Sequence, residues 1–124
     1  MSIEERLAVL KQIEQVALLA GLKGAIDDEG RRFELGFDLG EGRSQRVFVR
    51  PTGKAMDDQT VVTIFSPCFV AKKGFLAGIS KEQALDLLRS NEAILFARFG
   101  CWDSETESMI VASVDALLET LDLN

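Results

Sequence analysis

The feature that most constrains the fold is a pair of alternating runs around a glycine-flanked turn. Phe33, Leu35, Phe37 and Leu39 alternate with Glu34, Gly36 and Asp38, and a period of two puts the apolar set on one face of a strand. Gly40-Glu41-Gly42 follows. A second run over 44–50 then carries Val47 and Val49 on one face and Arg46, Phe48 and Arg50 on the other. Two such runs joined by a glycine-rich turn predict an antiparallel hairpin. The same glycines do not begin a dinucleotide-binding fingerprint: the third glycine position holds Gln45, and the segment enters a strand where a helix is required.

Helices are signalled by their starts. Ser2 and Glu5 form a capping box, after which Ile3, Leu7, Leu10, Ile13, Ala17 and Ala20 recur at spacings of three and four, with Gly21 as the stop. Ser80 and Gln83 form a second box ahead of Ala84, Leu85 and Leu88, with Asn91 as a left-handed C-terminal residue. Residues 22–31 read as a charged loop, and Pro51-Thr52-Gly53-Lys54 as a strand break. Residues 60–66 are β-branched and apolar, the composition of a central strand covered on both faces. Residues 67–78 read as an apolar loop containing Phe69, Val70, Phe75 and Leu76. Two further strands are expected over 94–99 and 108–114 around an acidic turn, and Asp115 is expected to cap a short last helix with Leu117, Leu118 and Leu121. The expected fold is α+β, a mainly antiparallel five-stranded sheet with helices packed against it, in the order α-β-β-β-α-β-β-α. The chain of 124 residues is the length of a single domain, 1–124.

Several functions are excluded by residue type. There is no histidine, which removes Ser-His-Asp and Cys-His catalysis and most zinc sites. Cys68 and Cys101 have no basic neighbour within two residues and read as buried free thiols of a reducing compartment. Gly53-Lys54 lacks the upstream glycine of a phosphate-binding loop, since Phe48 stands there. Asp103, Glu105 and Glu107 imitate a calcium loop, but Ser108 and Val114 occupy the positions that need Gly and a bidentate Glu. A net charge of -6 disfavours nucleic acid. The acidic start of the chain, without a basic and then apolar leader, and the lack of any apolar run of about 20 residues read as soluble and cytoplasmic, with no membrane partner. No residue pattern calls for a cofactor or metal.

What remains points to another protein chain. Val9, Val16 and Leu18 widen the apolar arc of the first helix to roughly 200°, where a one-sided surface helix needs about 100°. A helix of that kind touches its own sheet and something else. Arg46 and Arg50 share a strand face with Phe48, the mixture of basic and aromatic residues enriched at interfaces, although a solvated sheet face has the same look. Arg46, Phe48 and Arg50, with Leu10, Ile13 and Val16 of the first helix, are therefore the expected partner-binding residues. Arg31, Arg32, Arg43, Arg46, Arg50 and Lys54 fall in the first hairpin and its flanks, whereas residues 103–122 hold six acids and no Lys or Arg, a separation of charge that would steer self-association.

The segment Ala84-Leu85-Asp86-Leu87-Leu88-Arg89-Ser90-Asn91 resembles the leucine-rich second helix, ending in Asn, of the type III secretion chaperone-like fold. Ile94-Leu95-Phe96-Ala97-Arg98-Phe99 resembles the strand with an Arg-Phe pair in its YbjN-like branch. The short final helix, where secretion chaperones end in a long one, places the resemblance nearer that branch. The resemblance implies a non-enzymatic, chaperone-like or regulatory homodimer that holds an extended segment of another protein. The alternative is a small-molecule sensor, or an enzyme that dispenses with histidine, built around a pocket that the sequence does not reveal.

Overall fold

In the computed structural model, residues 1–72, 79–93 and 97–121 are described. Among them are helix α1 (Ile3–Leu19), strands β1 (Gly24–Ile26), β2 (Phe33–Gly40), β3 (Arg43–Lys54) and β4 (Thr60–Lys72), helix α2 (Lys81–Ala93), and strands β5 (Arg98–Asp103) and β6 (Glu107–Leu117). The six strands form one sheet in the order β1-β2-β3-β4-β6-β5. The pairs β1–β2, β2–β3 and β5–β6 are antiparallel. The α+β class is as expected, with six strands in place of five and two α-helices in place of three among the described residues. Contacts divide the chain into two compact units, Met1–Ile64 with Asp115–Asn124, and Phe65–Val114.

The core of the first unit is built by α1 against one face of β2 and β3. Val9, Leu10, Ile13 and Ala17 of the helix cluster with Phe33, Leu35, Val49, Val62 and Leu118. The register pairs Phe33 with Val49 and Leu35 with Val47, so the alternation seen in the sequence becomes one continuous apolar face. Helix α1 starts as expected, with Ser2 Oγ accepting from Glu5 N–H at 3.1 Å. It ends in a Schellman motif: Gly21, at φ +77, donates to Leu18 O, and Leu22 N–H donates to Ala17 O.

Strand β1 replaces part of the expected 22–31 loop. Its three residues pair with Phe33, Glu34 and Leu35, a partnership that its own composition does not announce. Gly24 is required there. A Cβ at that position would lie 2.5 Å from Glu34 O and 2.6 Å from the Phe33 ring, so the strand can approach β2 only without a side chain.

Two proline breaks and the last helix also need correction. Strand β3 continues through Pro51 to Lys54, because Phe33↔Val49 is the last rung with β2 and Pro51 lies beyond it, where β2 needs no donor. Strand β4 continues through Pro67 to Lys72, so Phe69 and Val70 belong to a strand; Phe75 and Leu76 fall outside the described residues. Strand β6 runs to Leu117, leaving only a 3-10 turn at Leu118–Thr120. Asp115 lies within β6 and not at a helix start: it accepts from Thr63 Oγ1 at 2.7 Å, while Glu119 Oε1 accepts from Thr60 N–H at 3.3 Å. Those two bonds hold the segment to β4. Since the single Thr63 hydroxyl proton goes to Asp115, the adjoining Thr52 hydroxyl donates to Thr63. As expected, β4 is central, lying between β3 and β6 with Val62, Thr63 and Phe65 buried.

In the second unit, β5 and β6 pair without a register shift from Arg98↔Ser113 to Asp103↔Ser108. Strand β5 starts at Arg98 and extends to Asp103, further along than expected; residues 94–96 fall outside the described residues. Phe65 of β4 packs on Trp102 with ring centroids 4.6 Å apart.

Candidate functional site

The six residues expected to meet a partner do not form one surface. Leu10 is 0% exposed and Ile13 is 5% exposed, both inside the α1 core, and Phe48 is 4% exposed. Such side chains are beyond a partner's reach, which corrects their assignment. The wide apolar arc of α1 indicated that two faces are apolar, but not which one turns inward. Phe48 is covered from within the unit: the Arg32 guanidinium lies 4.2 Å from its ring centroid and also pairs with Glu34 at 3.3 Å. Arg46 and Arg50 are exposed on β3, and Val16 is half-buried.

The apolar surface that α1 does present comes from other residues. Ile3, at its start, is 72% exposed, and Leu18 and Leu19, adjacent at its end, are 72% and 75% exposed. Leu18 and Leu19 stand just ahead of the Schellman motif. In the same unit is a shallow depression of about 180 Å³ lined by Val16, Ala20, Leu22, Leu35, Ile64 and Leu121. Further along β2, Phe37 and Leu39 are 36% and 54% exposed; β1 accompanies β2 only from Phe33 to Leu35.

The second unit contains a larger cleft of about 410 Å³ between α2 and the β5–β6 pair. Leu87, Leu88, Phe99 and Ile110 line it, and among the described residues Asp103 is its one charged lining residue. Helix α2 buries no residue. It is fixed by polar contacts: a complete capping box, with Gln83 N–H to Ser80 Oγ and Ser80 N–H to Gln83 Oε1 both at 3.1 Å, and a clamp at its other end. There Asn91 Nδ2 donates to Phe99 O at 3.1 Å and Asn91 Oδ1 accepts from Phe99 N–H at 2.6 Å. Asn91 is thus not the left-handed terminal residue expected. It lies inside the helix, and its amide imitates a strand's rung.

Both cysteines are exposed, which corrects their expected burial. Cys101 lines the cleft, and its thiol donates to Asp103 Oδ1 at 3.5 Å; Ser108 Oγ donates to the same oxygen at 2.6 Å. No Lys, Arg or His lines the cleft among the described residues. Among the described residues no cluster of three metal-ligating side chains occurs, and no helix is long and apolar enough to cross a membrane.

No protein-family model matches the chain, and neither a curated protein nor a solved structure matches it.

Proposed function

We propose that this chain is a non-enzymatic, cytoplasmic protein-binding module, chaperone-like or regulatory, that acts as a homodimer and holds a segment of another polypeptide. One observation carries the reading: Leu18 and Leu19, at 72% and 75% exposure, project from a helix whose opposite side is already buried. Apolar side chains grouped in this way, beside the Leu22–Leu35 depression, have the character of a surface completed by a second chain. The resemblance of residues 84–91 to the second helix of chaperone-like proteins supports the same class of function.

The small-molecule alternative draws support from the 410 Å³ cleft, whose size suits a ligand. A sensor or enzyme site also needs polar groups that converge on a ligand; among the described residues the polar side chains lining the cleft are those of Asn91, Cys101, Asp103 and Ser108, and the Asn91 amide is engaged with Phe99, a sparse set.

The test is a light-scattering mass. The expected result is twice the 13.6 kDa of one chain for the unaltered protein, and the monomer mass for Leu18→Glu/Leu19→Glu with unchanged circular dichroism. A monomer at working concentration that also fails to bind unfolded polypeptides would sink the proposal.

A further inference from the structure

The exposed end of α1 carries a pattern of charge as well as leucines. Glu14 stands one turn before Leu18 on the helix, and Lys23 follows Leu22, the residue that closes the Schellman motif. Glu14, Leu18, Leu22 and Lys23 border one depression, with Gly24 and Phe33 completing its lining. All four of the bordering residues are exposed, as is Leu19 beside Leu18. Along this surface the order is therefore an acid, the leucines, then a base. Among the described residues no ion pair joins Glu14 to Lys23, so the two charges do not neutralise each other across the depression.

That order selects the occupant. A partner segment of a single sign would attract one of the two charges and repel the other. A second copy, rotated by half a turn about an axis through the leucines, presents its base to the first copy's acid and its acid to the first copy's base. The reciprocity is a property of any two-fold contact, in which the same patch is used on both sides. The leucines of the two copies meet in the middle. Each chain carries a net charge of -6, so two copies repel at long range. Opposite charges placed at the contact then fix the one orientation in which the patches can close.

We infer that a second copy of this chain docks on the α1 end about a two-fold axis, with Glu14 of each copy against Lys23 of the partner subunit and with Leu18, Leu19 and Leu22 of both copies between the two ion pairs. This rests on the reading of the chain as a homodimer and names the contact that sets the dimer's geometry. The leucines supply affinity by leaving water. The rim charges supply orientation, and they penalise any arrangement that brings acid to acid or base to base.

The experiment uses the whole chain and two charge-reversed variants, Glu14→Lys and Lys23→Glu, with circular dichroism to check that each is folded. Sedimentation over a dilution series gives the dimer dissociation constant. The unaltered protein is expected to dimerise. Each single variant sets like charges face to face twice in its own dimer, and it should dimerise about tenfold more weakly or worse. Mixing the two variants in equal amounts should restore a dimer of parental strength, because every rim contact of the mixed pair joins opposite charges. The double variant Glu14→Lys/Lys23→Glu should likewise match the parent. At about 1 M salt, where the screening length is about 3 Å, the single variants and the parent should converge. Single variants that dimerise as tightly as the parent overturn the inference, and so do weakened variants that mixing fails to rescue. In either case a dimer that is lost in Leu18→Glu/Leu19→Glu keeps the broader reading alive. A parent that is monomeric yet binds unfolded polypeptide through Leu18 and Leu19 gives the patch to another occupant and also overturns the inference. A parent that is monomeric and binds none removes the inference and the reading together.

Discussion

Helices α1 and α2 begin alike and are held differently. Each starts at a serine whose hydroxyl accepts from the third residue onward. Helix α1 then buries Val9, Leu10, Ile13 and Ala17, whereas α2 buries nothing and relies on the Asn91 clamp. A helix anchored by apolar burial shares the stability of the whole core. A helix with no fully buried side chain, anchored among the described residues chiefly by one side-chain amide, opens at lower free energy. The cleft lies beside the second kind.

The largest expected effect tests the burial half of this contrast. Leu10→Ala removes a side chain with no exposure and should lower unfolding stability by about 2–5 kcal/mol. Leu88→Ala, at a position 63% exposed on α2, should stay within about 0.5 kcal/mol of the parent. Denaturant midpoints measure both. Comparable losses would mean that α2 is packed as firmly as α1, and the contrast would fail.

The next effect isolates the clamp. Asn91→Ala deletes two hydrogen bonds and leaves the Phe99 N–H and C=O without their partner, about 2 kcal/mol against the closed position of α2. Hydrogen exchange should therefore quicken along α2, by about 30-fold if the whole cost is local, and stay unchanged along α1. Uniform acceleration in both helices would show that Asn91 supports the global fold instead.

The clamp also marks the limit of what the sequence makes legible. Signals spanning three or four residues are readable: both serine caps, the Gly21 stop, and the alternation from Phe33 to Leu39 that builds the β2–β3 hairpin. Roles set by distant partners are not. Asn91 resembles a helix end until Phe99, eight residues on, is placed against it. Asp115 resembles a cap until Thr63, 52 residues away, claims it. Strand β1 exists because β2 offers Phe33–Leu35 as partners, and Gly-Ala-Ile in a charged stretch carries no period of its own. The candidate surface follows the same rule. An apolar arc shows that α1 has two greasy sides, but only packing assigns Leu10 and Ile13 to the interior and Leu18 and Leu19 to solvent.

The smallest effect sharpens the comparison most, because it holds the chemistry constant. Ser2→Ala and Ser80→Ala each delete one hydroxyl that accepts from a first-turn N–H at 3.1 Å, a loss of about 1 kcal/mol per helix start. Ser80→Ala keeps the backbone N–H that Gln83 Oε1 accepts from, so its cost falls at the lower end of that scale. Helix α1 passes into the core at Val9 and Leu10, two turns after its cap, and its fraying is coupled to burial. The Ser2→Ala loss should appear in the global denaturation midpoint. Helix α2 has no buried residue to transmit the loss, so Ser80→Ala should quicken exchange in the first turn of α2 and leave the midpoint where it was. Equal midpoint shifts from the two substitutions would show that both helices unfold with the core and that the cleft is as rigid as the α1 face.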